Sequence, residues 1–355
     1  MKKTPFLILI VMLLLLASQV NAQKLIAVQS GDKATFYTSL DTALLYAKNG
    51  DDIYLPGGYL KTNGTTINID KAVNISGVGY NPYYNAGTEN TIIENKTIKI
   101  MPSVNGGSIA GIYAKNSILQ IQDTVSNFSV TRCLFFSINI GSNQGKTPPS
   151  NISILETVVA NTINRNGIGA CPQNVSISNC IIGRLGTNLA IYSNFPWDDL
   201  TCKNCILMGS PVNNVILNIQ NSLFENCILV DSYNSVFGGN SNVFRNCMFT
   251  GSNTISYIGN TNFVTSCIFS LDKNSIFIDP QDFVFTMKND YRLKADSPGK
   301  NAGKDGTDIG IYGGRYPWKD GGLPTNPHIE AQNIGGTTDN SGNLKVNIKV
   351  EAQDH

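Results

Sequence analysis

The feature that most constrains this chain is a repeat marked by cysteine. Segments of one kind end on each marker: NFSVTRC at 127–133, NVSISNC at 174–180, DLTCKNC at 199–205, NSLFENC at 221–227, SNVFRNC at 241–247 and TNFVTSC at 261–267. The markers are 47, 25, 22, 20 and 20 residues apart, and the first step divides into 24 and 23 when NISILET places Thr157 in the vacant slot. Self-similarity at this period specifies a solenoid, in which each unit buries its apolar face only against its neighbours.

Three columns repeat down the stack, each for a physical reason. Three residues before the marker stand Val130, Ile154, Ile177, Cys202, Phe224, Phe244 and Val264, a column that must point inward. Just after the marker come Leu134, Val158, Ile181, Ile206, Ile228, Met248 and Ile268, each followed by another apolar residue, and short apolar runs of this kind suit parallel strands. Immediately before the marker lie Asn179, Asn204, Asn226 and Asn246. Asparagine tolerates the left-handed conformation of a tight turn and can bond its copy in the next coil, so an asparagine ladder at a coil corner is expected.

Coils of this length with such a ladder resemble the pectin-lyase-like right-handed parallel β-helix repeat proteins, of the secreted bacterial type. The resemblance covers roughly residues 25 to 315 and implies an all-β, single-stranded solenoid. Leucine-rich repeats have a similar period but need a dense leucine framework that these units lack. SLDTALLYAK at 39–48 predicts a short capping helix with Ser39 as its N-cap. DYRLKADSPGKNAGKDGTDIGIYGG at 290–314 resembles the last-coil segment of bacterial members.

The chain opens with Lys2 and Lys3, an apolar run from Phe6 to Ala17, and small residues at Val20 and Ala22, the pattern of a secretory signal peptide over 1–22. The expected organisation is then a β-helix over 23–316 and a Pro/Gly-rich linker with a β-hairpin or extension over 317–355. In the extension Leu344, Val346, Ile348 and Val350 alternate with polar residues, the mark of a strand with one buried face; the favoured reading is a cap that folds back over the last coil, the alternative an edge through residues 329–353 for a protein partner. A secreted, periplasmic or cell-surface location follows, with no membrane insertion. Without Lys2 and Lys3 the chain has 24 basic and 25 acidic residues, a balance of −1, which gives no general attraction for nucleic acid.

Coils stacked about 4.8 Å apart allow either a disulfide or a ladder of free thiols. A column of five leaves one cysteine over, which favours buried reduced thiols; Cys171 and Cys202 stand outside that argument. The only histidines are His328 and His355, which excludes a histidine triad within the repeats. Relatives that cleave acidic polysaccharide by β-elimination commonly hold the substrate carboxylate with calcium and use Lys or Arg as base. Between 124 and 270 the acids are only Glu156, Asp198, Asp199, Glu225 and Asp231, thin material for a calcium cage, and the clustered aspartates of the hydrolase members are missing.

Acids, a base and aromatics meet in IYSNFPWDDLTCK at 191–203. Tyr192, Phe195 and Trp197 are the candidate sugar-stacking rings, and Asp198, Asp199 and Lys203 the candidate catalytic groups, with Asp198 and Asp199 also the candidate metal ligands. Arg132, Arg165 and Arg184 are further candidates on neighbouring coils. The competing account is that the aromatics staple a long loop and the acids are solvated. Lys203 is also claimed by an outward column of alternating charge, Lys203, Glu225 and Arg245. The leading expectation is a secreted protein that contacts extracellular polysaccharide without necessarily cutting it, with no cofactor required. The alternatives are a polysaccharide lyase using a divalent cation, with calcium the implied ion, and a surface adhesin or scaffold.

Overall fold

The computed structural model describes residues 24–84, 87–141, 147–183, 190–209, 215–230, 239–251, 258, 261–279, 285–323, 325, 328–338 and 341–351. The expected signal peptide, Arg184 and Asp231 lie outside the described residues. The chain winds into a right-handed parallel β-helix of about 8 turns with coils of about 23 residues. One sheet has 12 strands, ten of them from successive coils and two from an antiparallel N-terminal hairpin, Ile26–Ser30 with Lys33–Tyr37. The other two faces of each coil belong to a single 13-stranded sheet that bends where its register shifts, as between Phe135 and Ser137.

Alternation along each strand sets the core. Ile53, Ile75, Ile109, Val130, Ile154, Ile177, Cys202, Phe224 and Phe244 stand in direct register and are at most 2% exposed. The marker column beside them is also interior. Its thiols hook the carbonyl two residues back, as Cys133 does to Thr131 (3.3 Å) and Cys205 to Lys203 (3.1 Å). The Thr157 hydroxyl makes the same bond to Leu155 at 2.9 Å, which explains why threonine fills the vacant slot. All eight cysteines are free thiols, and burial pushes the Cys133 thiol up to about 12.

Between the first and second faces the chain turns through one residue at positive φ. That column reads Arg132 (51°), Glu156 (46°), Asn179 (51°), Asn204 (52°), Asn226 (55°), Asn246 (49°) and Ser266 (54°). The sequence predicts that these asparagines bond one another, and the structure corrects this. Asn179 Nδ2 donates to Ile311 O (2.8 Å) and Gly313 O (2.9 Å), Asn226 Oδ1 accepts from Lys304 N (2.9 Å), and Asn246 Nδ2 donates to Ala302 O (3.0 Å). The stacked ladder stands instead where the chain enters the same strands. There Asn127 donates to Asn105 (2.6 Å), Asn151 to Asn127 (2.9 Å) and Asn174 to Asn151 (2.6 Å).

The partner of the corner asparagines is the chain's own last third, which runs back along the outside of the solenoid. Leu134, Val158, Ile181, Ile206, Ile228 and Met248 point outward, yet the returning segment covers them with Ile276, Phe277, Leu293, Ile309, Ile311 and Trp318 in a second apolar cluster. Covering each such side chain is worth roughly 1.5 to 3 kcal/mol. At Gly310, φ 96°, a Cβ would meet Ile228 Cδ1 at 2.7 Å, so only glycine lets the segment lie this close.

Leu40–Tyr46 forms the capping helix, with Ser39 Oγ accepting from Thr42 N and with Leu40, Ala43 and Leu44 buried over the first coil. Beyond the returning segment, His328–Thr338 and Leu344–Glu351 form an antiparallel hairpin that pairs with no other strand among the described residues. Leu344, Val346, Ile348 and Val350 are 46–58% exposed there, so the buried face expected from their alternation is not found.

Two outcomes follow for the corner. Asn179→Ala and Asn179→Gly both lose the bonds to Ile311 and Gly313 and are expected to lower stability by about 1 to 3 kcal/mol in denaturant titrations, the alanine more because it cannot relieve the positive φ. Glu225 joins Lys203 (3.2 Å), Arg245 (3.0 Å) and Lys304 of the returning segment (3.3 Å). Burial raises its pKa, but the bonds from Lys203 and Lys304, with Arg245, outweigh burial and hold it below the ordinary 4.5. A depressed folded pKa stabilises the protein above about pH 4.5 and is lost as pH falls through the lower folded value. Melting temperature should therefore fall on acidification, and Glu225→Gln should flatten that component.

Candidate functional site

The predicted aromatic loop is a strand of the third face, Ile191–Asp198, paired with Ile163–Arg165 on one side and Ile216–Gln220 on the other. Tyr192 lies opposite Leu217 but Trp197 opposite Ile219, so the residues between them arch out as a bulge. Arg165 fixes that arch by donating to Pro196 O and to Gly169 O (2.6 Å). Trp197 is fully buried in the core, which corrects its assignment as a sugar platform: the large ring fills the interior beneath the bulge and presents no face to solvent. Tyr192 is half-buried in the row of Asn164 and Asn139, and Phe195 is exposed at the crest.

Asp198 Oδ1 accepts from Gln220 Nε2 (2.9 Å) and Asn221 Nδ2 (2.7 Å). Asp199, at φ 61°, takes the slot of Asn127, Asn151 and Asn174. Lys203 sits at the far end of the strand Leu200–Lys203, bonded to Glu225, about 13 Å along the chain from Asp199 at about 3.3 Å per residue. No ion pair among the described residues reaches Asp198 or Asp199. A calcium ion needs about six to eight oxygen ligands, and this pair of aspartates, one already bonded to two amides, does not fit it. Among the described residues the one close group of three metal-capable side chains is Cys202, Cys205 and Cys227, which are soft ligands.

A pocket of about 610 Å³ opens beside Asp198, Asp199, Cys171 and Gln173, and a second concave surface lies on the outer face of the first sheet. A groove of about 600 Å³ runs along it. Its floor comes from two outward columns in register, Asp52, Asn74, Ser108 and Ser129 in one, and Tyr54, Ser76, Ala110, Thr131 and Leu155 in the other. The first column continues through Ser153, Ser176 and Thr201, so an unbroken row of hydroxyls follows the solenoid axis. Asn74 bridges Asp52 (2.9 Å) and Ser108 (3.0 Å), which fixes the orientation of its amide. Tyr54 stands 38% exposed on the floor, and Tyr316, 43% exposed, comes from the returning segment to form the wall.

The charged groups at the groove's edge are held together. Arg132 Nε donates to Glu156 Oε2 at 2.7 Å, and Nη1 donates to Leu323 O at 2.9 Å, so this buried pair ties two coils to the returning wall. Sequence reasoning missed the groove because serine, threonine and alanine carry no chemical signature one at a time. A signal existed in the repeat itself, whose third position reads Ser129, Ser153, Ser176 and Thr201.

No protein-family model matches the chain, and no curated protein matches it. Among solved structures it is similar to the pectate lyase Pel9A, at 12% identity over 78% of this chain and 90% of that one, with a TM-score of 0.42. It is also similar to tailspike protein 3 of bacteriophage CBA120, at 9% identity over 73% of this chain and 68% of that one, with a TM-score of 0.23. By its own strand order, bent second sheet and turn geometry the fold is a parallel β-helix.

Removing one member of the buried pair leaves the other charge without compensation. Glu156→Ala is expected to cost about 3 to 5 kcal/mol in denaturant titrations, and replacing both residues by apolar ones (Arg132→Met with Glu156→Leu) should cost less than that single change.

Proposed function

We propose that this protein binds an extended polysaccharide along the outer face of its first sheet and does not cleave it. The observation that carries this is the row from Ser108 to Thr201, one hydroxyl per coil, of which Ser108 and Ser129 share a groove with the accessible rings of Tyr54 and Tyr316. Hydroxyl and amide side chains donate and accept in the same manner as sugar hydroxyls, and tyrosine rings cover the apolar faces of pyranoses. Coils repeat about every 4.8 Å, close to the length of one sugar unit in an extended glycan, so neighbouring units meet equivalent floors. Export by the amino-terminal segment would bring the protein to such polymers.

Binding is favoured over β-elimination by the state of the ionisable groups. Abstracting a proton next to a uronate carboxylate requires a base tuned toward neutral pH and within reach of the sugar. The described charged groups of the groove are Asp52, bonded to Asn74, and Arg132 and Glu156, bonded to each other beneath Leu323.

Affinity electrophoresis through neutral and acidic polysaccharides tests this. Tyr54→Ala and Tyr316→Ala are each expected to weaken binding about tenfold, or roughly 1.4 kcal/mol, with Phe195→Ala unchanged and no unsaturated uronate appearing in the ultraviolet. Full affinity in the Tyr54→Ala/Tyr316→Ala double variant, or product formation, would overturn it.

A further inference from the structure

The outward column that carries Tyr54 does not stop at the groove. Its register runs Phe36, Ala27, Tyr54, Ser76, Ala110, Thr131 and Leu155, one residue per strand. Tyr54 to Leu155 belong to the groove floor, and the first two members come from the antiparallel hairpin of Ile26–Ser30 and Lys33–Tyr37. Directly paired residues share a face in parallel and antiparallel ladders alike, so Phe36 lies on the same side of the sheet as Tyr54. The alternate positions agree with that facing. Ile26 and Val28 are 2% and 5% exposed in the core, and Tyr37, opposite Ile26, stacks on Tyr46 of the capping helix with ring centroids 5.8 Å apart.

Phe36 is 61% exposed. A single phenylalanine at the surface is ordinary, and the position of this one is what sets it apart. It stands two strands beyond Tyr54, roughly 10 Å at the usual strand spacing, with only the small side chain of Ala27 between the two rings. The neighbouring outward column runs Ala34, Gln29 and Asp52 and then joins Asn74 and the row of hydroxyls, so the border of small and polar side chains along the groove continues beside Phe36. Five consecutive residue pairs hold the hairpin, which sets the ring on ordered backbone. A phenylalanine there has only two side-chain torsions to fix when a ligand settles on it, a small entropic cost.

We propose that the glycan path continues past the groove and across this hairpin to Phe36, which serves as an outer stacking platform. The extension rests on the reading of the groove as a polysaccharide site. From Tyr54 to Leu155 the floor spans about 19 Å in strand spacings, and from Phe36 to Leu155 about 29 Å. With one sugar per strand, the groove alone accommodates about four units and the extended path about six. An aromatic ring covers the C–H face of a pyranose. Phenylalanine has no hydrogen-bonding group with which to tell one sugar from another, so Phe36 adds affinity for chain length and not for a particular monosaccharide.

The test is calorimetry of the full chain with cello-, manno-, xylo- and galacturono-oligosaccharides from dimer to octamer. For the series that binds, affinity is expected to climb up to the hexamer and then level off. Phe36→Ala should weaken the hexamer about tenfold and leave the tetramer within about twofold, Phe36→Trp should keep the hexamer affinity, and Tyr54→Ala should weaken both lengths. Because Phe36 is largely exposed, its alanine variant is expected to keep the melting temperature, and the length series on the unaltered chain tests the path without any substitution. A hexamer no tighter than the tetramer, or a hexamer indifferent to Phe36→Ala but weakened by Tyr54→Ala, would overturn the extension and leave the groove standing. Equal loss of tetramer and hexamer in Phe36→Ala would also overturn it. Absence of saturable binding in every series would overturn the groove reading and the extension together.

Discussion

Where each coil leaves the first sheet, one residue takes the left-handed backbone conformation and turns its side chain out of the strand pattern. For a residue other than glycine this conformation costs about 1 kcal/mol or more, and asparagine bears it best. Here the residues that make the turn also reach the returning segment: Asn179, Asn226 and Asn246 bond its backbone, and Arg132 extends to Leu323. The corner therefore closes the coil and recruits the last third of the chain. With that segment in place, the outward aliphatic column from Leu134 to Met248 is covered, and the groove acquires its wall.

The repeat was legible because its constraints are local. A small side chain with a donor is needed at the marker to hook the carbonyl two residues back, and Cys and Thr both supply it. An inward column must be apolar, and the turn must tolerate positive φ. What the sequence could not show was the facing of the second apolar column, because an aliphatic residue that packs into the core and one that packs beneath a returning segment look alike. The corner asparagines were misjudged in their partners for the same reason, while the true ladder from Asn105 to Asn174 lay at the start of the very segments used to find the repeat. Trp197 misled through its type: a tryptophan beside two aspartates reads as a binding loop, whereas its ring belongs to the core and only Tyr192 and Phe195 reach the surface.

The groove was hidden by ordinariness. Its floor is made of residues with little chemical character of their own, and it becomes a surface only when successive coils place them one above another. A floor of this kind is preorganised by the backbone, so little side-chain entropy is lost when a ligand settles on it, and short hydroxyl side chains lose less than long charged ones. The groove's ionisable groups serve the architecture, with Arg132 and Glu156 buried against each other and Asp52 bonded to Asn74.

Hydroxyl-radical footprinting of the chain, with and without polysaccharide, tests the proposed placement of the ligand most directly, because tyrosine and phenylalanine report their own solvent contact. The account predicts that polysaccharide protects Tyr54 and Tyr316 and leaves Tyr192 and Phe195 as reactive as before. Protection of Tyr192 and Phe195 with Tyr54 and Tyr316 unchanged would move the ligand to the third face and contradict it.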